Sequence, residues 1–404
     1  LPNIPFSITR AINSARRLGW LLVLLVPLPA LADVNTSLSL LQAVKTQEEP
    51  AFAPMSVLDM LGLLYYGSSG KTEQQMGALF AGQTRETVAK EAAKAQRALP
   101  GYRRIDSVWF SERVQVTNEF FQAASDQWKY NVSAIPLRTD PAKAASLVNF
   151  WYSEQTNGYI KSVVSPADLD GKPDMLAVLV TVFISPWKGD YFSNATTSPM
   201  MFYRSSDEKF LVRMMKTKER FPYYEDEQFQ VLTIPYKSDD FTLLVFLPKD
   251  ARQFDQALGA LNGKYLLQAA SKAKPELINL QLPRVDYDTE ISWRDIFLKS
   301  KLSEPFTPGK ANFSGINENH PEPLFIAKLI EKVEIKWNEK GTEARSTVTA
   351  STDPFGPAPE KPKSPKSIDF NANHPFCFVI YNEKARDAAF AGIITAPGQM
   401  EIVQ

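Results

Sequence analysis

Asn338-Glu339-Lys340-Gly341-Thr342-Glu343-Ala344-Arg345-Ser346-Thr347-Val348 is the stretch on which the reading of this chain turns. It follows a largely apolar run, residues 324–337, that predicts a buried strand. Beyond it the chain shows no helical period and passes five prolines between positions 354 and 365. A strand-like run resumes at Phe376, so residues 341–370 read as one long connection. Connections of that length inside a compact domain are usually functional or disordered.

The first half of this connection alternates. Thr342, Ala344, Ser346, Val348, Ala350 and Thr352 are small or β-branched and uncharged, whereas Glu343, Arg345 and Asp353 put every charge into the other register. Period two with one uncharged face is a strand pattern. A solvated linker with accidental alternation is the plainer reading, and the separation of all three charges into one register weighs against it. A connection that is also a latent strand predicts two conformations.

At this point a family resemblance enters. The Asn338 to Ala344 segment resembles the hinge of the reactive-centre loop of serpins. Phe370, His374, Pro375 and Phe376, with Phe390, Gly392 and Pro397, are similar to the serpin C-terminal signature. Ala53-Pro54-Met55-Ser56-Val57 with Tyr66-Gly67 and Thr72 resembles the buried second helix, and Leu147-Val148-Asn149-Phe150-Trp151 the helix that crosses the main sheet. The matches run from about residue 50 to Pro397, with no internal repeat and no linker. The expectation is a single mixed α+β domain, residues 33–404, with several helices, large β-sheets and an exposed reactive-centre loop at about 339–369.

The resemblance implies a function. Glu339, Gly341, Thr342, Glu343 and Ala344 become the hinge, and Ser346, Val348, Ala350 and Thr352 the face that enters the sheet. In inhibitory members the hinge glycine precedes the specificity residue by fourteen positions, which from Gly341 places the reactive bond at Phe355–Gly356. The expected activity is suicide-substrate inhibition of a chymotrypsin-like serine protease, trapped as an acyl-enzyme by loop insertion. The partner is that protease and the expected state is a monomer. The alternatives are a non-inhibitory binding or carrier protein on the same fold and a cross-class inhibitor of cysteine proteases. Arg345, where inhibitory relatives favour small residues, and the long segment carrying Lys361, Lys363 and Lys366 are departures that favour the carrier. In the region that gates sheet opening, Ser56 stands as in the family, but Thr181 and Glu331 occupy the places where relatives carry an Asn and a His.

Composition narrows the other classes. Lys plus Arg and Asp plus Glu both number 45, so no basic excess exists to neutralise phosphates and no nucleic-acid partner is expected. Residues 1–32 read as a secretory signal peptide: Arg10, Arg16 and Arg17 precede an apolar run at 18–28, and Ala30-Leu31-Ala32 supplies small residues before Asp33. That run is short for a membrane span, so a secreted or periplasmic protein, off the membrane once cleaved, is expected. An uncleaved anchor is the rival.

Catalysis has little to work with. His320 and His374 are the two histidines and Cys377 is the one cysteine. A hydrolase would have to use them, and His374 and Cys377 sit three apart on a strand-like segment, on opposite faces. The chain is therefore read as no enzyme, with no metal site and no cofactor. Further along, helices are predicted at 37–44, 55–66, 83–98, 118–128, 252–272 and 291–302. Strands are predicted at 104–110, 175–184, 208–216, 228–236, 241–247 and 276–285.

Overall fold

In the computed structural model, residues 34–47, 49–95, 99–317, 323–342 and 366–398 are described. The predicted signal peptide lies outside them. So do Glu343, Ala344, Ser346, Val348, Ala350, Thr352, Phe355 and Gly356, and the hydrolase candidate His320.

Two sheets carry the fold among the described residues. Met175–Phe183 is apolar at every position except Thr181, and eight of its nine residues are buried, because both its faces are covered. It pairs antiparallel with Tyr102–Ser111, which in turn pairs with Asn131–Ile135. On its other side it pairs in parallel with the lower half of Lys328–Asn338, from Lys328↔Leu176 to Val333↔Thr181. Val285–Ser292 completes that sheet beyond Lys328–Asn338. The second, nine-stranded sheet is threaded by the 17-residue strand Lys209–Glu225 and includes the strands Phe376–Asn382 and Asp387–Ile394, every residue of which is buried, with the short strand Ala51–Phe52 at the edge beyond them.

The helix Pro54–Tyr66 opens with Pro54, whose missing N–H costs nothing in the first turn. Eleven of its thirteen residues are buried, since it lies between the two sheets and has no solvent face. The helix Pro141–Gln155 covers the opposite face of the seven-stranded sheet. Asp140 caps it by accepting from Lys143 N–H, and Val148 and Tyr152 pack on Ile105, Val178 and Ile330. The Tyr152 hydroxyl donates to the Val178 carbonyl at 2.9 Å, which ties this helix to the central strand.

Several predicted boundaries are corrected. Residues 291–302 are not one helix: Ile291 and Ser292 end a strand, and only Trp293–Leu298 is helical. Ile291 pairs with Glu331, so sheet pairing overrides the apolar spacing that suggested a helix turn. Residues 252–272 form two helices, Phe254–Ala260 and Gly263–Lys272, because Asn262 caps the second by accepting from Tyr265 N–H. The surface helix spans Arg85–Ala95, and Ala124–Trp128 leaves α geometry for a π turn. Among the described residues no helix is long and apolar enough to cross a membrane.

Candidate functional site

The two lips of the seven-stranded sheet diverge as they rise. Met175–Phe183 and Lys328–Asn338 are paired up to the Thr181↔Val333 register. Above it Gly341 and Thr342 lie between them, paired antiparallel with Asn338 and Trp337 on one side and with Pro186 and Ser185 on the other. The turn at Glu339 and Lys340 therefore sends the chain back down into the mouth of a fork, pointing along the seam.

Each residue of the turn has a physical reason. Gly341 has φ +146°, and a Cβ there would sit 2.3 Å from the Ser185 carbonyl oxygen and 2.5 Å from Pro186 Cα, so only glycine fits. Thr342 is buried, and its hydroxyl shares a 2.5 Å hydrogen bond with the Tyr236 hydroxyl. Tyr236 is stacked on Trp187 at 4.7 Å, and Trp187 Nε1 donates to the Asn338 carbonyl at 2.9 Å. Glu339 is buried beside Arg284, whose Nε and Nη2 donate to Oε1 at 3.0 and 2.7 Å, while the Thr197 hydroxyl donates to the same oxygen. Burial pushes the Glu339 carboxyl up, but the Arg284 and Thr197 hydrogen bonds outweigh it and hold the group below its ordinary range.

Lower in the seam, Glu331 is wholly buried. Its Oε1 accepts from the Ala53 backbone N–H at 2.7 Å and its Oε2 from Trp293 Nε1 at 2.8 Å. Burial, with the Asp106 carboxyl adding to it, pushes Glu331 up to about 8. Ser56 does not reach Glu331; its hydroxyl bonds the Asp106 carboxyl, at 3.0 Å to Oδ1 and 2.9 Å to Oδ2. Burial raises Asp106 to about 6 in spite of the nearby Arg104 guanidinium. Arg104 is itself ion-paired with Asp59. Thr181 stands two register positions further up, opposite Val333, and its buried hydroxyl makes no hydrogen bond. The structure thus separates the three residues expected at the gate, with Ser56 at Asp106, Glu331 at Ala53 and Trp293, and Thr181 at neither.

The C-terminal signature is packing. Phe370, Pro375, Phe376, Phe390, Gly392 and Pro397 are all buried, and a Cβ on Gly392 would meet the Phe378 ring at 2.4 Å. His374 accepts or donates at both ring nitrogens, to the Pro248 carbonyl at 2.9 Å and the Asn373 side chain at 3.1 Å, and burial lowers its pKa. Cys377 is fully buried and its thiol is pushed up by that burial. Arg284, Tyr236, Trp293 and Asp106 were not singled out from the sequence. A signal existed for one of them, since Asp106 is the charge that interrupts the apolar run at 105–110.

Comparison with known proteins agrees with this architecture. The family model described as serpin (serine protease inhibitor) matches residues 32–397. The chain belongs to the serpin family. It is 23% identical over 382 residues to an uncharacterized serpin-like protein of Methanosarcina acetivorans, covering 91% of this chain and 86% of that one. It is also 23% identical to the human leukocyte elastase inhibitor, covering 91% of this chain and 99% of that one. Among solved structures, the thermophilic serpin tengpin in its native state superposes with a TM-score of 0.79 at 20% identity, covering 91% of this chain and 94% of that one.

Proposed function

We propose that this serpin is an exported suicide-substrate inhibitor of chymotrypsin-like serine proteases, cleaved at Phe355–Gly356. The observation that carries the reading is the fork: Gly341 and Thr342 already pair on both sides, with Trp337 and Asn338 on one lip and Ser185 and Pro186 on the other. An inserting strand that keeps this register steps down two residues at a time. Ala344 would then meet Ile335 and Phe183, Ser346 would meet Val333 and Thr181, Val348 would meet Glu331 and Leu179, and Ala350 would meet Leu329 and Ala177. Every residue on that face is small or β-branched, so none exceeds the room between two lips that already pack closely.

In this reaction the protease serine oxygen attacks the Phe355 carbonyl, the Phe355–Gly356 amide breaks, and Gly356 leaves with the proton as an amine. The resulting ester is held while residues 343–355 zip into the seam at about 3.3 Å per residue. Incubation with chymotrypsin followed by denaturing electrophoresis tests this. A band at the summed mass, with a released fragment beginning at Gly356, is expected. Nicking without a stable adduct would contradict inhibition and favour the carrier reading. Sequencing the N-terminus of the exported protein tests removal of residues 1–32, with Asp33 expected first.

A further inference from the structure

The strand Lys209–Glu225 carries Lys216, Lys218 and Arg220 at every second position, which puts all three on one face of the nine-stranded sheet. Lys218 and Arg220 are exposed and Lys216 is half-buried. Pairing fixes what stands beside them. Lys218 is in one row with Asn279 and Asp369, and Lys216 in another with Gln281 and Asn371, across the strands Lys274–Pro283 and Ile368–Asn371. In the opposite register of those two strands Ile278, Leu280 and Phe370 are wholly buried, so the cations lie on the solvent face.

The sheet does not neutralise this row. Among the described residues none of the three makes an ion pair or a side-chain hydrogen bond. Asp369, the acid of the same face, takes a hydrogen bond from Asn279 Nδ2 at 2.8 Å and stands two strand spacings, about 9.6 Å, from Lys218. Glu219 and Glu276 fall in the opposite register, and Glu225 is ion-paired with Lys249. The whole chain has a formal charge of zero, so the row sets up a local field of its own. Its position matters as much as its charge. Ile368 pairs with Ile278, opposite Glu219, so the chain returning from the reactive-centre loop enters the sheet beside the Arg220 end of the row, with the exposed Lys366 just before it.

We propose that the row of Lys216, Lys218 and Arg220 is a docking surface for acidic patches on the target protease, separate from the Phe355–Gly356 bond. It rests on the inhibitory reading above and adds to it the surface charge of the preferred enzyme. Twelve positions separate Gly356 from Ile368, at most about 40 Å of chain. A protease domain of about 200 residues has a radius of gyration of about 16 Å, so an enzyme held at Phe355 is wide enough to lie against the sheet below. Three fixed cations within about 13 Å then meet its surface. Opposite charges placed this way raise the rate of encounter, and the gain falls as salt screens it. The face has no exposed large apolar side chain, so it fits salt-sensitive steering better than a tight, dry interface.

Chymotrypsin and chymotrypsin with its lysines succinylated share one active site and differ in surface charge, since each succinylated ammonium becomes a carboxylate. The readout is the rate at which each cuts the intact protein at Phe355–Gly356, divided by its rate on a small neutral substrate. The succinylated enzyme is expected to cut about tenfold faster in about 0.02 M salt and no faster in about 1 M salt. Lys216→Gln, Lys218→Gln and Arg220→Gln together are expected to abolish that advantage. Lys299→Gln, Lys301→Gln and Lys310→Gln remove the same charge at exposed positions elsewhere and are expected to preserve it. Lys218→Gln alone is expected to reduce it, a readout that survives if the triple variant folds poorly. Equal rates for the two enzymes at low salt, an undiminished advantage in the row variant, or the same loss in the Lys299, Lys301 and Lys310 variant would overturn the docking surface. Equal rates beside intact trapping sink the docking surface alone. An advantage for the succinylated enzyme beside failed trapping leaves the docking surface standing and sinks the inhibitory reading. No cut by either enzyme overturns both.

Discussion

Thr342 and Tyr236, 106 residues apart, share a hydrogen bond between buried hydroxyls at the mouth of the sheet fork. The bond holds the first inward-facing residue after Gly341 inside the protein. It also gives each hydroxyl a partner where water cannot supply one. Tyr236→Phe removes it and leaves the Thr342 hydroxyl unpaired. A lost hydrogen bond of this kind costs about 1 kcal/mol, which corresponds to about a fivefold faster unfolding rate if the contact is absent from the unfolding transition state. Stopped-flow unfolding in urea reads it, and an unchanged rate would show that the bond does not hold the hinge.

Arg284 and Glu339 give a prediction with a definite sign in pH. The Glu339 carboxyl is held below its ordinary range in the folded protein, so its contribution is fully present above that range and is lost as pH falls through the folded value. Arg284→Ala removes two of the three hydrogen bonds on Oε1 and leaves a buried carboxylate with Thr197. The variant is expected to lose about 1–3 kcal/mol at neutral pH and to show less further loss than the wild type below about pH 4. Parallel stability curves for the two proteins across that acid window would contradict the assignment.

Much of the fork was legible in advance, and what was missed shares one cause. Gly341 and Glu339 were found from a local motif, and the close approach of Ser185 and Pro186 explains why that motif holds a glycine. The Pro54–Tyr66 helix declares its burial by being almost wholly apolar, with Ser56 and Asp59 the polar exceptions. Glu331 also announced itself: Leu329, Val333, Ile335 and Trp337 share its register, and it is the one charge in that apolar set. What makes it tolerable, Ala53 and Trp293, lies 278 and 38 residues away, and no local pattern carries such pairings. The same holds for Arg284 and Tyr236. Register between distant strands is set by tertiary packing, which is also why the apolar spacing of residues 291–302 suggests one helix where the structure has a strand end and a shorter helix.

Ser346 is where the insertion account is most exposed to a substitution, because Thr342 is already in the sheet of the intact protein. In the register that continues from Thr342, an inserting strand would bring residue 346 between the buried Val333 and Thr181, so Ser346→Arg would force a guanidinium there without a partner. An unpaired buried charge costs several kcal/mol, and slowing insertion tenfold takes a barrier increase of only about 1.4 kcal/mol. The variant is expected to fold, to be cut at Phe355–Gly356 and to release the protease as a substrate would. Electrophoresis of the chymotrypsin mixture checks this, and undiminished trapping would remove hinge insertion from the mechanism.

Phe355 governs which protease is trapped if the register counted from Gly341 holds. Phe355→Arg is expected to lower the association rate with chymotrypsin and raise that with trypsin, each by about tenfold or more, because a specificity pocket reads this side chain. Rate constants from progress curves decide it. A cut mapped by mass spectrometry to Lys366–Ser367 in place of Phe355–Gly356 would show the register to be wrong.

The most direct measurement of the central claim is the melting temperature of the intact protein against that of protein nicked within residues 343–355 by a protease that is not itself trapped. If the seam between Met175–Phe183 and Lys328–Asn338 takes up the freed segment as a new central strand, the intact form is a kinetic trap. The nicked protein should then melt well above it. Coincident melting curves, or a nicked form that melts lower, would contradict strand insertion.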